Sequence, residues 1–324
     1  MNEPSSPLPR DLTDWSQPID YMARTRAYYQ ALGYGAPYRW AQYEDVPFTP
    51  LAKPLSASTI GIVTTAAPFQ PDKGDQGPGA PYNGSAKFYD VYSMPIDPEP
   101  DLRIAHVAID RAHTTAEDQS SYFPLRALSS LARDGMIAGI GARFHGLPTN
   151  RSQSTTLSVD APELVSRVSE DGSDAILLVA NCPVCHQSIG IAARGLEAAG
   201  IPTVILGSAR DIVENVGVPR FLFSDFPLGN AAGPPKNTTA QRQTAVLALE
   251  LLASAQGPRA TAHSPVTWPG AKDWKRDYAN ADLLTEAEIQ ARRRAFDQGK
   301  AEAHCGRLTG GYFWSRTDWA SALP

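Results

Sequence analysis

The sequence predicts an α/β fold: a parallel sheet wound on both faces by helices, in Rossmann-like lobes. Three observations carry this. Residues 174–179 (Asp-Ala-Ile-Leu-Leu-Val) form a short apolar run of the kind that a strand buried on both faces requires. A helical pattern then runs to Gly200, and residues 201–206 supply a second apolar run, so that strand, helix and strand make a βαβ unit. Further apolar runs at 58–67 and 220–224 end in small polar residues, at the strand ends where open α/β sheets collect their ligands.

Taken in order, residues 1–56 read as an N-terminal arm followed by a helix at 20–33, which Gly33 stops. The stretch 37–54 is rich in aromatics and prolines and reads as a cover over a sheet edge or a pocket lining. Residues 57–150 form the expected first lobe, with strands at 58–67, 88–94, 102–109 and 136–144 and a helix at 125–135. The loop 68–84 is dense in Gly, Pro and Asp, yet contains neither the dinucleotide nor the P-loop glycine spacing. A polar connection at 146–159 leads to a helix begun by Ala161 and Pro162. Residues 151–256 form the expected second lobe, which carries a Cys-x-x-Cys, with a cleft between the two lobes. Residues 257–324 read as a helical tail packing back on the core, with Arg292, Arg293 and Arg294 on a solvated face and Cys305 incidental.

Composition narrows the function classes. Of 324 residues, 42% are hydrophobic and 19% charged, enough for a packed core. A net charge of -5 opposes general nucleic-acid binding, and no apolar run approaches a membrane span. The polar, proline-bearing start and only three cysteines lead us to expect a cytoplasmic protein in a reducing compartment.

The chemistry concentrates at Cys182-Pro183-Val184-Cys185-His186. A helix N-terminus stabilises negative charge and so favours the thiolate, the reactive form of cysteine. One of Cys182 and Cys185 is therefore expected to attack and the other to resolve, with His186 shuttling protons. The bland alternative is two buried small apolar side chains. Covalent haem attachment, which the five residues also match, needs export and a haem-sized vacancy, and neither is indicated. No second cysteine pair completes a structural zinc site. The chain calls for no cofactor beyond a thiol reductant; zinc or iron, if bound, would sit on Cys182, Cys185 and His113.

Substrate contacts are expected from residues at strand ends or in the polar loop after 102–109: Thr64, Thr65, His106, Asp110, His113, Ser208, Arg210 and Asn230. His106, Asp110 and His113 suit metal binding, carboxylate binding or proton relay; the alternative is a polar loop with ordinary hydrogen bonds. Arg210 offers the planar fork that suits a carboxylate.

The strand ending in Cys182-Pro183-Val184-Cys185, with Ala198-Ala199-Gly200-Ile201-Pro202-Thr203 and Phe226-Pro227-Leu228-Gly229-Asn230 after it, resembles the selenoprotein B family of glycine, sarcosine and betaine reductases. It is similar also to the selenocysteine subunit of D-proline reductase. Phe123-Pro124-Leu125 is compatible, and the likeness covers roughly residues 58–250. The resemblance implies reductive cleavage of a carbon–nitrogen bond. It places Cys185 where selenium sits in the D-proline enzyme, with Cys182 as partner thiol; here sulfur occupies both positions. The expected function is a thiol-dependent reductase or lyase acting on a carbon–heteroatom bond of a small polar substrate. Expected partners are that substrate, a thiol electron donor and a second copy of the chain. Three other readings stay open: a metal-assisted or cysteine-based hydrolase or desulfurase, a cofactor-free racemase-like enzyme, and a metal-binding or redox-sensing subunit.

Overall fold

The computed structural model of the chain describes residues 17–34, 38–149 and 152–308, with backbone alone at 296 and 299–308. Most of the expected N-terminal arm, and the side chains of His304 and Cys305, lie outside what is described.

The strands are β1 (Thr59–Thr64), β2 (Ala67–Pro68), β3 (Tyr92–Pro95), β4 (Leu102–Arg103), β5 (Gly139–Ile140), β6 (Arg143–Gly146), β7 (Ala175–Val179), β8 (Thr203–Gly207), β9 (Arg220–Phe223) and β10 (Ala260–His263). One sheet runs in the order β10-β9-β8-β7-β1-β6-β3, with β5 also on β1 and with β2 and β4 forming a small separate pair. Every pairing in the main sheet is parallel except β3 with β6. Strands β7, β8 and β9 are buried along their whole length, and apart from Thr203 and Arg220 their residues are apolar.

The helices are α1 (Tyr21–Ala31), α2 (Leu125–Arg133), α3 (Gln153–Thr155), α4 (Ala161–Asp171), α5 (Pro183–Ala198), α6 (Arg210–Val216), α7 (Thr238–Ser254), α8 (Trp274–Asp277) and α9 (Glu286–Leu308). Helices α4, α5 and α6 pack side by side, while α2 packs on α7; α5 and α7 both contact β8. The result is the helix–sheet–helix layering expected of a mainly parallel sheet. Local chemistry sets the helix ends. Asp20 caps α1 by accepting from the Ala23 amide, Asn237 caps α7 by accepting from the Ala240 amide, and Gly172 closes α4 at φ 68°. No described helix is long and apolar enough to cross a membrane.

The two spans expected to meet at residue 150 are joined by strand pairing. β1, from the first span, pairs with β7, from the second, at five positions from Ile60↔Ala175 to Thr64↔Val179. The two spans therefore share one sheet. Other elements differ in detail. The strand expected at 102–109 stops after Leu102–Arg103, and the chain turns from residue 107 onward. The strand expected at 136–144 is split into β5 and β6, and the polar connection contains α3 and a wide helical turn running into α4.

A buried ion pair ties β9 to α5. Arg220 on β9 meets Glu197 on α5 at 2.8 Å, both side chains fully buried. Glu197 also accepts from the Thr203 amide and hydroxyl, and Arg220 donates to the carbonyls of Thr203 and Thr49. The stretch 38–54 is thus fastened to the sheet by its backbone, as a cover.

Candidate active site at the carboxyl edge of the sheet

The site begins where β7 ends. Cys182 is the N-cap of α5, in extended backbone conformation, and Pro183 takes the first helical position, where its missing N–H costs nothing. The helix therefore starts at Pro183, and Cys185 lies inside its first turn. The Cys182 sulfur accepts the Cys185 amide N–H at 3.2 Å. The two cysteines are joined as a disulfide, with Cα atoms 4.9 Å apart. Thr149, in the loop after β6, donates its hydroxyl to the Cys185 sulfur at 3.4 Å. Helix dipole, amide and hydroxyl all favour negative charge on sulfur once the pair is reduced. Cys182 is 4% exposed and Cys185 fully buried, so the site is closed in this conformation.

His186 follows the pair but faces away from thiol chemistry. Its Nδ1 meets the Cys182 carbonyl at 2.7 Å, and its Nε2 accepts the amides of Ser208 and Ala209 at 2.8 and 3.1 Å. Both ring nitrogens are committed to backbone, and burial holds its pKa down to about 4. The ring pins the cysteine turn to the end of β8; the shuttle expected from sequence finds no free nitrogen.

His106 occupies the place that sequence gave to His113. The donor atoms of His106, Cys182 and Cys185 all lie within 4.8 Å of one another, and all three residues are buried. His106 Nε2 lies 2.7 Å from the Thr65 carbonyl, which can only accept; Nε2 therefore carries the proton and Nδ1 the lone pair. Burial lowers its pKa to about 4, so the ring is neutral at pH 7. His113 is held between Asp110 at 2.9 Å and Asp277 at 3.5 Å and is not among the grouped donors. Asp110 is itself buried, which raises its pKa, and its Oδ2 has no hydrogen-bond partner among the described residues.

Thr65 ties these parts together. Its carbonyl holds His106, and its hydroxyl oxygen accepts from the amide and side chain of Asn181, the residue before Cys182. Thr64 accepts the Ala66 amide at 3.1 Å and serves the turn after β1. Asn230 braces its own turn, donating to the Pro227 carbonyl and accepting from Thr114. Arg210, the expected carboxylate grip, is half-exposed, 3.8 Å from Glu214 and stacked over Phe223.

Sequence reasoning missed four residues. Thr149 gave no signal, standing 36 positions from its sulfur partner. Asn181 and Ser224 were legible as polar residues closing apolar strands. In register they flank Ser208: Val179 pairs with Leu206 and Gly207 with Phe223, so the row continues as Asn181, Ser208, Ser224. Asn181 Oδ1, Ser208 Oγ and Ser224 Oγ are each buried without a hydrogen-bond partner among the described residues. Such unmet capacity, repeated on three neighbouring strand ends, marks a place where water or a ligand belongs. Arg111 is the fourth. It donates to the carbonyls of Ala80, His106 and Val107, tying the glycine-rich loop to the His106 segment, and lines a small recess there with Arg103.

Comparison with known proteins bears out the resemblance. D-proline reductase subunit gamma of Acetoanaerobium sticklandii is 29% identical over 197 residues, which is 60% of this chain and 78% of that protein. Glycine reductase complex component B subunit gamma of Symbiobacterium thermophilum is 24% identical over 225 residues, 68% of this chain and 52% of its own. Sarcosine reductase complex component B subunit beta of Peptoclostridium acidaminophilum is 24% identical over 211 residues, 63% of this chain and 47% of its own. The chain spans about half the length of the two component B relatives. No protein-family model matches it, and no solved structure does.

Proposed function

We propose that the chain is a subunit of a thiol-dependent reductase that cleaves a carbon–heteroatom bond in a small polar, amine-bearing substrate. The observation that carries this reading is the pairing of Cys182 with Cys185 across the first turn of α5, at the carboxyl edge of a parallel sheet. The kinship with D-proline, glycine and sarcosine reductase subunits supports it.

The electrons balance as follows. One thiolate, Cys185 by resemblance, attacks the substrate carbon; a carbon–sulfur bond forms, the carbon–nitrogen bond breaks, and the departing amine takes a proton. The Cys182 thiolate then attacks the thioether sulfur. A disulfide forms, and carbon leaves with the bonding pair and a second proton. An external dithiol donor returns two electrons and two protons to the disulfide. His106, with its lone pair on Nδ1, is the residue we assign to carry the proton released by the thiol. His186 becomes a positioning residue. Asn181, Ser208 and Ser224 are assigned to the polar end of the substrate.

The test is anaerobic incubation of the reduced protein with D-proline, glycine or sarcosine and a dithiol, counting free thiols and product. We expect two thiols lost per turnover when the donor is omitted. We expect neither product nor disulfide from Cys185→Ser, and from Cys182→Ser a substrate adduct on Cys185 detectable by mass. Product formation with both thiols still titratable would favour the hydrolase or lyase reading and sink this one.

A further inference from the structure

We propose that, when reduced, the cysteine pair and His106 form a zinc site: Cys182 Sγ, Cys185 Sγ and His106 Nδ1 as ligands, with the fourth position open. The proposal concerns a second state of the pair and stands or falls without the reductase reading, because its test measures metal.

Four observations converge on it. A ring nitrogen of His106 and the two sulfurs already lie within 4.8 Å of one another. Donors around a tetrahedral zinc stand roughly 3.5–3.8 Å apart, given bonds of about 2.0–2.3 Å. The metal therefore needs small shifts at one turn and no rearrangement of the sheet. The donor set is two sulfurs and one imidazole, the borderline-soft mixture that zinc prefers. His106 is also arranged as metal-binding histidines are. Its Nε2–H is held by the Thr65 carbonyl, which fixes the tautomer that leaves Nδ1 free to donate its lone pair. Finally, the sulfurs have supporting contacts of their own: the Cys185 amide on Cys182 and the Thr149 hydroxyl on Cys185. These hold thiolates whether or not a metal is present, and all three ligand residues are buried, where an unneutralised pair of thiolates would be costly.

Binding is not a redox step. Each thiol gives up one proton, two sulfur–zinc bonds and one nitrogen–zinc bond form, and no electrons move. The disulfide has no thiolate to offer, so the zinc-bound and disulfide states exclude one another. Zinc would hold the reduced pair against adventitious oxidation while leaving a coordination position exposed to whatever enters the site.

The experiment uses the full chain, reduced and desalted without oxygen, titrated with Zn²⁺ against a chromogenic zinc indicator. Expected is one equivalent bound by the reduced protein, none by the oxidised protein, and none by Cys182→Ser or Cys185→Ser. His106→Ala should weaken binding by at least about tenfold, the scale on which even supporting residues act, while His113→Ala leaves it unchanged. His106 is buried, so that variant is paired with X-ray absorption at the zinc edge on the unmodified protein, expected to give two sulfur and light-atom ligands. Reduced protein that takes up no zinc overturns the proposal, as does a shell without two sulfurs. A site lost in His113→Ala and kept in a folded His106→Ala would do the same.

Discussion

At the scale of single residues, the informative contrast is between His186, which sequence placed in the proton transfer, and His106, which it placed among the substrate contacts. His186 stands beside the cysteines in sequence, and His106 stands 76 positions before Cys182. Proximity in sequence favoured His186, but a residue four positions on from the N-cap of a helix has its ring turned toward the neighbouring strand end. There His186 is consumed by the Cys182 carbonyl and two amides. Nor could sequence separate His106 from His113, because both lie in a turning segment where no periodicity says which side chain points inward. The cysteines were legible for the opposite reason: a strand, a proline and a helix fix their direction. His186 yields a pH prediction. Its folded pKa, about 4, lies below the free imidazole value, so the unfolded chain takes the proton first. The stabilisation is therefore complete above the unfolded pKa, about 6.5, and is lost as pH falls toward about 4. The upper limit is on the order of 3 kcal/mol. We expect His186→Gln to be less stable than wild type at pH 7 by about 1–3 kcal/mol. The gap should narrow on acidification in urea unfolding measured between pH 7 and 4. Other titrating groups occur in both proteins and cancel in that difference. A gap independent of pH would show that His186 does not stay neutral in the fold.

At the scale of elements, β7, α5 and β8 were readable because each is uniformly apolar or cleanly periodic, and burial on both faces leaves such runs no alternative. The margins were not. β10, Ala260–His263, is a four-residue edge strand of mixed polarity whose existence depends on β9 offering a partner. The strand expected at 102–109 was apolar enough, but only Leu102–Arg103 finds a strand partner, in β2 and outside the main sheet. One element end carries a mechanical consequence. Gly207 closes β8 directly under the His186 ring; a Cβ there would stand 2.7 Å from His186 Cδ2, 2.8 Å from Nε2 and 3.1 Å from Phe221. Neither ring can retreat, because each is fully buried. Gly207→Ala should therefore push the imidazole off the Ser208 and Ala209 amides, costing about 2–4 kcal/mol from overpacking and broken hydrogen bonds together. The two contacts under 3 Å are both with the imidazole, so in a His186→Ala background the same substitution should cost about 1–2 kcal/mol less, a non-additivity that a double-mutant cycle reads directly. Equal costs in both backgrounds would mean that β8 itself, and not the ring above it, is what Gly207 protects.

At the scale of the whole molecule, the carboxyl edge of the sheet is roofed by segments from both ends of the described chain. Trp274 is 2% exposed and packs with Ile19, Tyr21, Ala209, Ile212 and Leu228. Lys275 pairs with Asp225 and donates to the Gln17 carbonyl at 3.1 Å, Tyr278 donates to the Ala108 carbonyl at 2.9 Å, and Asp277 reaches His113. The roof therefore touches the loops after β8 and β9 and the segment that carries His106. Closure by distant parts of the chain is a long-range property, and no local pattern in residues 268–278 announces it. If the roof seals the site, removing its largest buried side chain should do two separable things. Trp274→Ala should cost about 3–5 kcal/mol through the cavity it leaves. It should also expose the edge while the sheet stays folded, so that alkylation of reduced Cys182 speeds up without denaturant and with an unchanged circular dichroism spectrum. The comparison that gives this force is Leu128→Ala, which removes a fully buried core side chain on α2, outside the roof cluster. A similar loss of stability there should leave the alkylation rate near wild type. Acceleration by both substitutions alike would mean that the thiols are reached through global unfolding, and the roof would then be a stabilising layer with no part in admitting a substrate.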